Sequence, residues 1–344
     1  MDKSLLETRY TPAAMKALES FPVDPADIQL VSLSENVTYR VADRRSHKDY
    51  VLRLHRPGYN SIGALESERI WTGALREAGI PAPEPLLTQQ GQHFVLIDIP
   101  GSGEQRCAGM TKWADGIPLS DYLRSNCCGG ERIKIFRRIG ELAAAMHNHA
   151  TGWPEPPGFT RRRLDLDGLL GDAPSWGRFW EHASLTRAER ARLRRAREAI
   201  RPVLGAYGER ADNFSLIHAD LHPDNIIYND GDMALIDFDD SAYGWHLYDL
   251  ASALVEDRLA RDYENLNAAL LRGYCEHRPL TARDIELLPV FMLVRDGDHR
   301  LVSRTAGTRR HAVFRGHEAV GPRGVRLAWI MTSMPSSSAP VATA

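Results

Sequence analysis

The sequence is poor in cysteine and has no long apolar segment. Its four cysteines have neither the paired spacing of a zinc site nor the density of a disulfide-rich secreted domain; they are Cys107, Cys127, Cys128 and Cys275. No segment is apolar over the length needed to cross a bilayer, and the N-terminal residues lack the charged-then-apolar pattern of a signal peptide. We therefore expect reduced thiols, a cytoplasmic location and no membrane partner.

An excess of charge of one sign is also lacking. The 43 basic and 45 acidic residues give a net charge of -2, which argues against a nucleic-acid-binding protein. The arginine-rich segments 161–163 and 187–197 are expected to be solvated loop and helix faces. With 344 residues, 43% of them hydrophobic, the chain is long enough for a large core. These properties agree with a soluble enzyme that has no nucleic-acid partner, and they leave the oligomeric state open.

Two polar segments, 218–225 and 237–240, contain the groups that phosphoryl transfer requires. A phosphoryl group that moves from ATP to a hydroxyl needs a carboxylate near the attacking oxygen and further ligands for magnesium. Asp220 suits the first task. Asn225, after a short loop, offers an amide oxygen, and Asp237, after an apolar segment, offers a carboxylate. The order and spacing predict a catalytic Asp220 and a metal site at Asn225 and Asp237.

Short β-prone segments flank these residues. The apolar segments are 215–217, 226–228 and 233–236. Residues 229–232, with the sequence N-D-G-D, are typical of a hairpin turn. Two neighbouring strands would present Asn225 and Asp237 side by side. Because amide and carboxylate oxygens are hard ligands, the site favours Mg2+ over zinc.

These motifs resemble those of the aminoglycoside phosphotransferase and choline kinase family. The residues that match its H-x-D-x-x-x-x-N and I-D-[FW]-[DE] motifs are His218, Asp220, Asn225, Asp237 and Asp239. Protein kinases usually carry H-R-D and D-F-G at these places. Here Ala219 follows the histidine and Asp239 follows the phenylalanine, which favours the branch that phosphorylates small molecules.

The resemblance implies a protein-kinase-like α+β fold with two lobes, a small antiparallel β lobe and a larger, mainly helical lobe. It implies ATP and Mg2+ as cofactors and Asp239 as an assisting group at the metal. It also implies that His218 and Asp249 support the catalytic loop, Asp249 as a buried hydrogen-bond acceptor and not as the proton acceptor.

The N-terminal part of the chain is expected to bind the nucleotide. Residues 29–33, 37–41 and 50–54 have the pattern of successive antiparallel strands. The turn between the first two contains Ser34 and Asn36 and would lie over the nucleotide phosphates.

Further nucleotide contacts are implied by the resemblance. In the family, a lysine on the third strand pairs with a glutamate on the next helix and touches the ATP phosphates. In this sequence Arg53 occupies the position of the lysine. Glu68 is its expected partner, and Glu66 is the alternative. Arginine keeps the positive charge but is bulkier and less adaptable than lysine. Backbone groups at Trp113 and Ala114 would form the hinge that binds adenine.

The chain is expected to divide into three parts. A β-rich nucleotide-binding lobe with the hinge covers 1–116, and a helical catalytic lobe covers 117–294. The part from 295 to 344 is an atypical tail, because arginine, glycine and histidine replace the earlier helical pattern. Two explanations stay open, a shifted reading frame near Asp296 and a disordered basic tail.

The predicted function is ATP- and Mg-dependent transfer of the γ-phosphate to a hydroxyl of a small molecule. A catalytically weak nucleotide-binding regulatory protein is one alternative, because Arg53 and the tail are unusual. A protein Ser/Thr kinase is another, although H-R-D and D-F-G are lacking.

The sequence leaves open which molecule accepts the phosphoryl group. An aminoglycoside requires an acidic pocket, choline an aromatic cage, and a homoserine-like acceptor a carboxylate-binding arginine. Asp240, Tyr243 and Trp245 follow the metal segment and are candidates for the first two kinds of pocket.

Overall fold

The computed structural model describes residues 3–34, 36–125 and 128–305, and the chain forms two units. The first unit comprises Met1–Cys127, Trp153–Arg161 and Pro223–Ser241, and the second comprises Cys128–Gly152, Arg162–His222 and Ala242–Ala344. The first contains antiparallel sheets, and the second is mainly helical. This composition confirms the predicted α+β class.

A six-stranded sheet forms the larger part of the first unit. Its strands are β1 (Pro25–Leu33), β2 (Val37–Asp43), β3 (Asp49–Leu54), β4 (Pro85–Leu86), β5 (Phe94–Ile99) and β6 (Glu104–Lys112). They pair antiparallel in the order β1-β2-β3-β6-β4, and β5 also pairs with β6. The helices of this unit are α1 (Lys3–Leu18), α2 (Ile62–Glu77) and α3 (Leu119–Ser125). The three strands predicted near the N-terminus are therefore confirmed.

Alternation along β2 and β3 determines which side chains enter the core. Val37 and Tyr39 of β2 are buried, as are Leu52 and Leu54 of β3. Successive side chains of a strand point to opposite faces, so Arg53 lies on the face opposite to its two leucine neighbours. The strand pattern thus keeps this arginine out of the apolar core.

The metal segment follows a second sheet of the first unit. Its strands are β7 (Ile117–Pro118), β10 (Ile226–Asn229) and β11 (Asp232–Leu235), paired in the order β11-β10-β7. In the predicted hairpin turn, Asp230 and Gly231 have φ angles of 47° and 101°, which suit the two-residue turns of twisted hairpins. The Leu235 amide donates to the Pro81 carbonyl at 3.0 Å. The hairpin therefore belongs to the first unit, while the boundaries at 116 and 294 stay predictions.

The second unit combines a small sheet with six helices among its described residues. The sheet order is β8-β12-β9, with β8 (Arg163–Leu164), β9 (Phe214–Ile217) and β12 (Ala242–Trp245). The helices are α4 (Gly129–Gly152), α5 (Leu166–Leu170), α6 (Arg187–Tyr207), α7 (His246–Leu254), α8 (Tyr263–Cys275) and α9 (Ala282–Thr305). Strand β9 ends at the predicted catalytic loop, and α7 begins just before its predicted support, Asp249.

Helix α9 continues past the point where the sequence pattern predicts the end of helical structure. Its backbone is helical to Thr305, and the Arg258 guanidinium lies 2.8 Å from the Asp296 carboxylate. The backbone is therefore helical for eleven residues beyond Val294, and the first two of these, Arg295 and Asp296, form ion pairs. The predictions for the tail from 306 to 344 fall outside the described residues.

Helices α4 and α8 cross at a very short distance. A Cβ added at Gly140 would lie 2.1 Å from the backbone oxygen of Leu270, so only glycine permits this approach. Across the same pair of helices, His147 Nδ1 and the Tyr274 hydroxyl lie 2.9 Å apart. The crossing therefore places a histidine where it can form a buried hydrogen bond.

Replacing Gly140 by alanine is expected to lower the free energy of unfolding by about 1–3 kcal/mol, because the added methyl group forces the helices apart. Gly130→Ala in the same helix is the control, since no described atom lies within 4 Å of the Cβ it would add. Denaturant unfolding of both variants measures the difference. Equal stabilities would contradict the close crossing.

Among the helices of the described ranges, none has the combination of length and hydrophobicity needed to cross a membrane. Cys107 and Cys275 are free thiols. Cys127 lies outside the described residues.

Candidate active site

Asp249 determines the backbone conformation of the catalytic loop. Its buried carboxylate accepts hydrogen bonds from the amides of His218, at 2.9 Å, and Ala219, at 2.7 Å. Ala219 has a φ of 66°, a left-handed conformation that is unfavourable for a residue with a Cβ. The two hydrogen bonds to one carboxylate offset this strain. Asp249 thus makes the contacts expected of a loop support.

A buried polar network lies behind Asp249. His147 Nε2 lies 3.1 Å from the carboxylate, and the His147 ring stacks on His246 with ring centroids 4.4 Å apart. Burial raises the pKa of Asp249 to about 6, although His218 and the bonded amides oppose this shift. Burial lowers the pKa of His147, so its ring is neutral near pH 7. Sequence analysis did not indicate this contact of His147 with Asp249.

Asp220 lies between two cationic or potentially cationic side chains of the second unit. Its Oδ1 accepts a hydrogen bond from Arg295 Nη2, and its Oδ2 lies 3.3 Å from His222 Nε2. The Asp220 amide donates to His218 Nδ1 at 3.3 Å. These contacts give the carboxylate a defined orientation.

The same neighbours determine the protonation of Asp220. Burial alone would raise its pKa, but the charges of His222 and Arg295 outweigh burial and hold the pKa well below its usual range. Burial lowers the pKa of His222, but Asp220 more than offsets this and raises it above the ordinary histidine value. At neutral pH the Asp220 side chain is therefore an ionised hydrogen-bond acceptor.

Sequence analysis missed the contacts of Asp220 with His222 and Arg295. His222 follows two residues after the aspartate, and this short spacing was an available signal. Arg295 is 75 residues away and begins the stretch interpreted as an atypical tail. No local pattern indicates that contact.

In the first unit, the chain brings Asn225 and Asp237 into adjacent segments. The Ile236 amide donates to the Asn225 carbonyl at 2.9 Å, one residue before Asp237. Asp237 has a φ of 62°, and its side chain is 37% exposed. Its Oδ1 accepts a hydrogen bond from Arg53 Nη1 at 2.7 Å. A partly exposed carboxylate and a neighbouring amide form a donor set of the kind that magnesium prefers.

Asp239, in contrast, is surrounded by protein donors. Its carboxylate accepts from Asn36 Nδ2 at 3.1 Å and from Asn60 Nδ2 at 2.9 Å, and His55 Nδ1 lies 3.6 Å away. Burial would raise the pKa of Asp239, but His55, Arg53 and Asn36 together lower it well below the ordinary value. Asp239 thus joins the turn after β1 to the loop before α2. Its role at the metal stays a prediction.

The expected partners of Arg53 occupy different positions. Arg53 donates to Asp237, and buried Glu68 lies 3.7 Å from Arg69 Nη1. Glu66 contacts His93 at 2.6 Å, so it is engaged elsewhere. Burial lowers the pKa of Arg53, but Asp237, Asp239 and Glu68 outweigh burial and raise it. Glu68 therefore acts on Arg53 through its charge.

The remaining predicted nucleotide contacts lie in turns and coil of the first unit. The Ser34 amide donates to the Asn36 carbonyl at 3.2 Å, and Asn36 Oδ1 accepts from the Arg56 amide at 2.9 Å. Trp113 and Ala114 are half-buried, and the Trp113 amide donates to Asp49 at 3.0 Å. Glu35 lies outside the described residues. The nucleotide roles of these residues stay predictions.

The candidate acceptor residues after the metal segment have protein partners. Asp240 accepts a hydrogen bond from the Tyr59 hydroxyl. Trp245 is 1% exposed, and its Nε1 donates to the Gly208 carbonyl at 2.8 Å. Trp245 is therefore a core residue, and the suggestion that it lines an aromatic cage was wrong.

An H-x-D loop with an ionised aspartate, and an oxygen-rich segment after a β-hairpin, define a phosphotransferase of the protein-kinase-like class. The chain belongs to the phosphotransferase enzyme family, APH, whose family model matches residues 27–284. The family resemblance seen in the sequence is confirmed.

Several relatives of this chain are small-molecule kinases. A homoserine kinase of Pseudomonas aeruginosa is 28% identical over 297 residues, 83% of this chain and 84% of that protein. The amicoumacin kinase of Bacillus subtilis is 21% identical over 280 residues, 78% of this chain and 77% of that protein.

Two solved structures are similar over most of their length. A microcompartment-associated aminopropanol kinase has a TM-score of 0.72 at 29% identity, covering 86% of this chain and 94% of its own. The amicoumacin kinase hAmiN, in complex with AMP-PNP, Ca2+ and Ami, has a TM-score of 0.73 at 18% identity. The match covers 90% of this chain and 91% of that chain. The second likeness concerns the fold alone.

The protein is thus a kinase that phosphorylates a hydroxyl group of a small molecule. This conclusion sets aside the protein Ser/Thr kinase alternative.

Proposed function

We propose that this enzyme transfers the γ-phosphoryl group of ATP, in the presence of Mg2+, to an acceptor hydroxyl that binds at Asp220. The orientation of Asp220 supports the proposal most strongly: its loop is bonded to Asp249, and its carboxylate is held ionised by Arg295 and His222. An ionised carboxylate is the group needed to orient an attacking hydroxyl.

The first unit supplies residues that fit a divalent cation and nucleotide phosphates. Asn225 and Asp237 would hold Mg2+ through oxygen, because they combine one neutral and one anionic hard ligand. The bound cation would neutralise phosphate charge. Arg53 is cationic and donates a hydrogen bond to Asp237. It would contact the phosphates, and the negative charge of Glu68 would help to keep the Arg53 guanidinium protonated.

Asp220 would act mainly by orientation. A carboxylate whose pKa is depressed is a weak base, so it accepts the hydroxyl proton only as the new oxygen–phosphorus bond forms. A loose phosphoryl-transfer transition state does not require an early proton transfer. His218 would keep the loop amide in place, and Asp249 would maintain the strained backbone at Ala219.

The acceptors to be tested follow from the names of similar proteins, which are kinases of homoserine, amicoumacin and aminopropanol. A coupled assay of ADP release should be run over hydroxy amino acids, amino alcohols and aminoglycosides, with Mg2+ and with a chelator. We expect at least one acceptor to raise the rate about tenfold above ATP alone, and the chelator to abolish this increase. ADP release that is equal with and without the chelator would contradict the metal-dependent proposal.

A further inference from the structure

Arg161 is a buried arginine that contacts the turn after the proposed metal-binding aspartate. The sequence pattern predicts a solvated segment at 161–163, and for Arg161, which is 7% exposed, that expectation was wrong. Its Nη2 donates to the carbonyls of Phe238, at 3.2 Å, and Asp239, at 2.8 Å, and its Nε donates to the Ser241 carbonyl at 2.7 Å. Three carbonyls of one short turn therefore converge on one guanidinium.

The same guanidinium also contacts helix α2. Its Nη1 donates to the Ala64 carbonyl at 2.9 Å, in the first turn of that helix. The amide of the neighbouring Thr160 donates to Ser67 Oγ at 2.9 Å, also on α2. Glu68 follows Ala64 by four residues, about one helical turn. Arg161 thus joins the helix that carries Glu68 to the turn that follows the metal segment.

The backbone of this turn needs support from outside. Asp237 has a φ of 62°, and a residue with a Cβ keeps such a conformation only where its surroundings impose it. The following turn is a single 3-10 turn, closed by the hydrogen bond of the Ser241 amide to the Phe238 carbonyl at 2.9 Å. Asn60 Nδ2 adds a bond to the Asp239 carbonyl at 3.0 Å. A short turn next to a strained residue is therefore held largely by side chains of other segments.

An arginine suits this task better than another donor. Its planar group presents five N–H donors in fixed directions, so it can specify the positions of several acceptors at once. Hydrogen bonds from a charged donor are stronger than those between neutral groups, and this offsets the cost of burying the guanidinium. The two segments that Arg161 joins carry Asp237 and Glu68, and both of these acidic residues act on Arg53. The geometry around Arg53 therefore depends on Arg161.

We propose that Arg161 is a positioning residue for MgATP binding: it holds the turn 238–241 against helix α2 and thereby fixes Asp237 beside Arg53. This inference rests on the proposed function, which assigns Asp237 to the cation and Arg53 to the phosphates. Since Arg161 donates to backbone carbonyls of the turn and the helix, it acts through these segments and not through its charge.

Two variants separate the hydrogen bonds of Arg161 from its charge. Arg161→Met removes the N–H groups, and Arg161→Lys keeps the positive charge but lacks the planar fork that reaches both segments. Calorimetry gives the Kd of MgATP and of ATP in excess chelator. In both variants we expect the Kd of MgATP to rise about tenfold or more, and the Kd of metal-free ATP to change less than about threefold. Without nucleotide, hydrogen exchange of the amides in 238–241 should be faster than in the wild type.

Two other arginines provide matched controls. Arg163→Met removes the same charge from the same segment, but Arg163 is exposed and pairs with Asp165 at 3.1 Å. It should keep wild-type affinities. Arg106→Met removes a buried arginine of the first unit that donates to Glu104 and to the Tyr10 hydroxyl. It should lower the melting temperature while the ratio of the two Kd values stays at the wild-type value.

The outcomes divide clearly. Wild-type MgATP affinity in both Arg161 variants would overturn the inference, as would a lower melting temperature with an unchanged ratio of the two Kd values, which would leave only a structural role. A larger loss for metal-free ATP that Arg161→Lys restores would also overturn it and assign the charge to the phosphates. If Arg161→Met does not fold, Arg161→Lys decides.

Asp237→Ala, measured in parallel, distinguishes this inference from the proposed function. A selective loss of MgATP binding in Asp237→Ala, without one in the Arg161 variants, would overturn only the role of Arg161. No selective loss in Asp237→Ala would count against the metal assignment and against this inference together.

Discussion

Replacing Asp220 by asparagine is expected to lower kcat of phosphoryl transfer about a hundredfold or more, while ATP binding is retained. The amide has nearly the shape of the carboxylate but cannot accept the proton of the hydroxyl. It also lacks the charge that pairs with Arg295 and His222. The measurement is single-turnover transfer to the best acceptor of the screen, with nucleotide binding followed by calorimetry.

Asp212→Asn is a matched control for this experiment. Asp212 is exposed and pairs with Arg210 at 2.9 Å, so its neutralisation changes the protein charge by the same amount away from the catalytic loop. This variant should keep wild-type turnover. Near-normal turnover in Asp220→Asn would rule out Asp220 as the carboxylate that meets the hydroxyl.

The second large effect is expected at the proposed metal site. In Asp237→Ala, the Kd of MgATP should rise at least about tenfold, because one of few protein oxygens available to the cation is lost. Binding of metal-free ATP should change little or become tighter, since the variant removes a negative charge that repels phosphate. Calorimetry with MgATP and with ATP in excess chelator gives both values.

Asp232→Ala, at the exposed first residue of strand β11, is the control for Asp237→Ala. It should leave both affinities at the wild-type value. Equal weakening of MgATP and metal-free ATP by Asp237→Ala would remove the metal assignment and leave only a structural role for its contact with Arg53.

Local sequence patterns were sufficient to predict several strands and a turn of the first unit. The alternation of residues 37–41 and 50–54 predicted β2 and β3, because period-two burial is a property of the strand itself. The N-D-G-D sequence predicted the hairpin turn, since positive φ at Asp230 and Gly231 is a local preference. The hydrogen bond of Arg53 to Asp237 was not predicted, because Asp237 lies 184 residues away in the sequence.

Aromatic residues near the site show the limit of local interpretation. Trp245 follows the metal segment in sequence, yet it packs against Tyr207, Phe214 and Phe291 in the core of the second unit. Strand β12 alternates its side chains between two faces, and the face that Trp245 occupies is covered by residues from other elements. Sequence proximity to a site does not fix the direction of a side chain.

The sequence by itself determined the family and the α+β class, and it predicted the roles of Asp220, Asn225 and Asp237, because motif spacing and strand periodicity are local. Only the tertiary structure decided that Asp249 bonds the loop at Ala219 and that Arg295 contacts Asp220. Such contacts join residues 30 and 75 positions apart. They depend on how strand β9 and helix α9 pack against helix α7, and no local pattern encodes that packing.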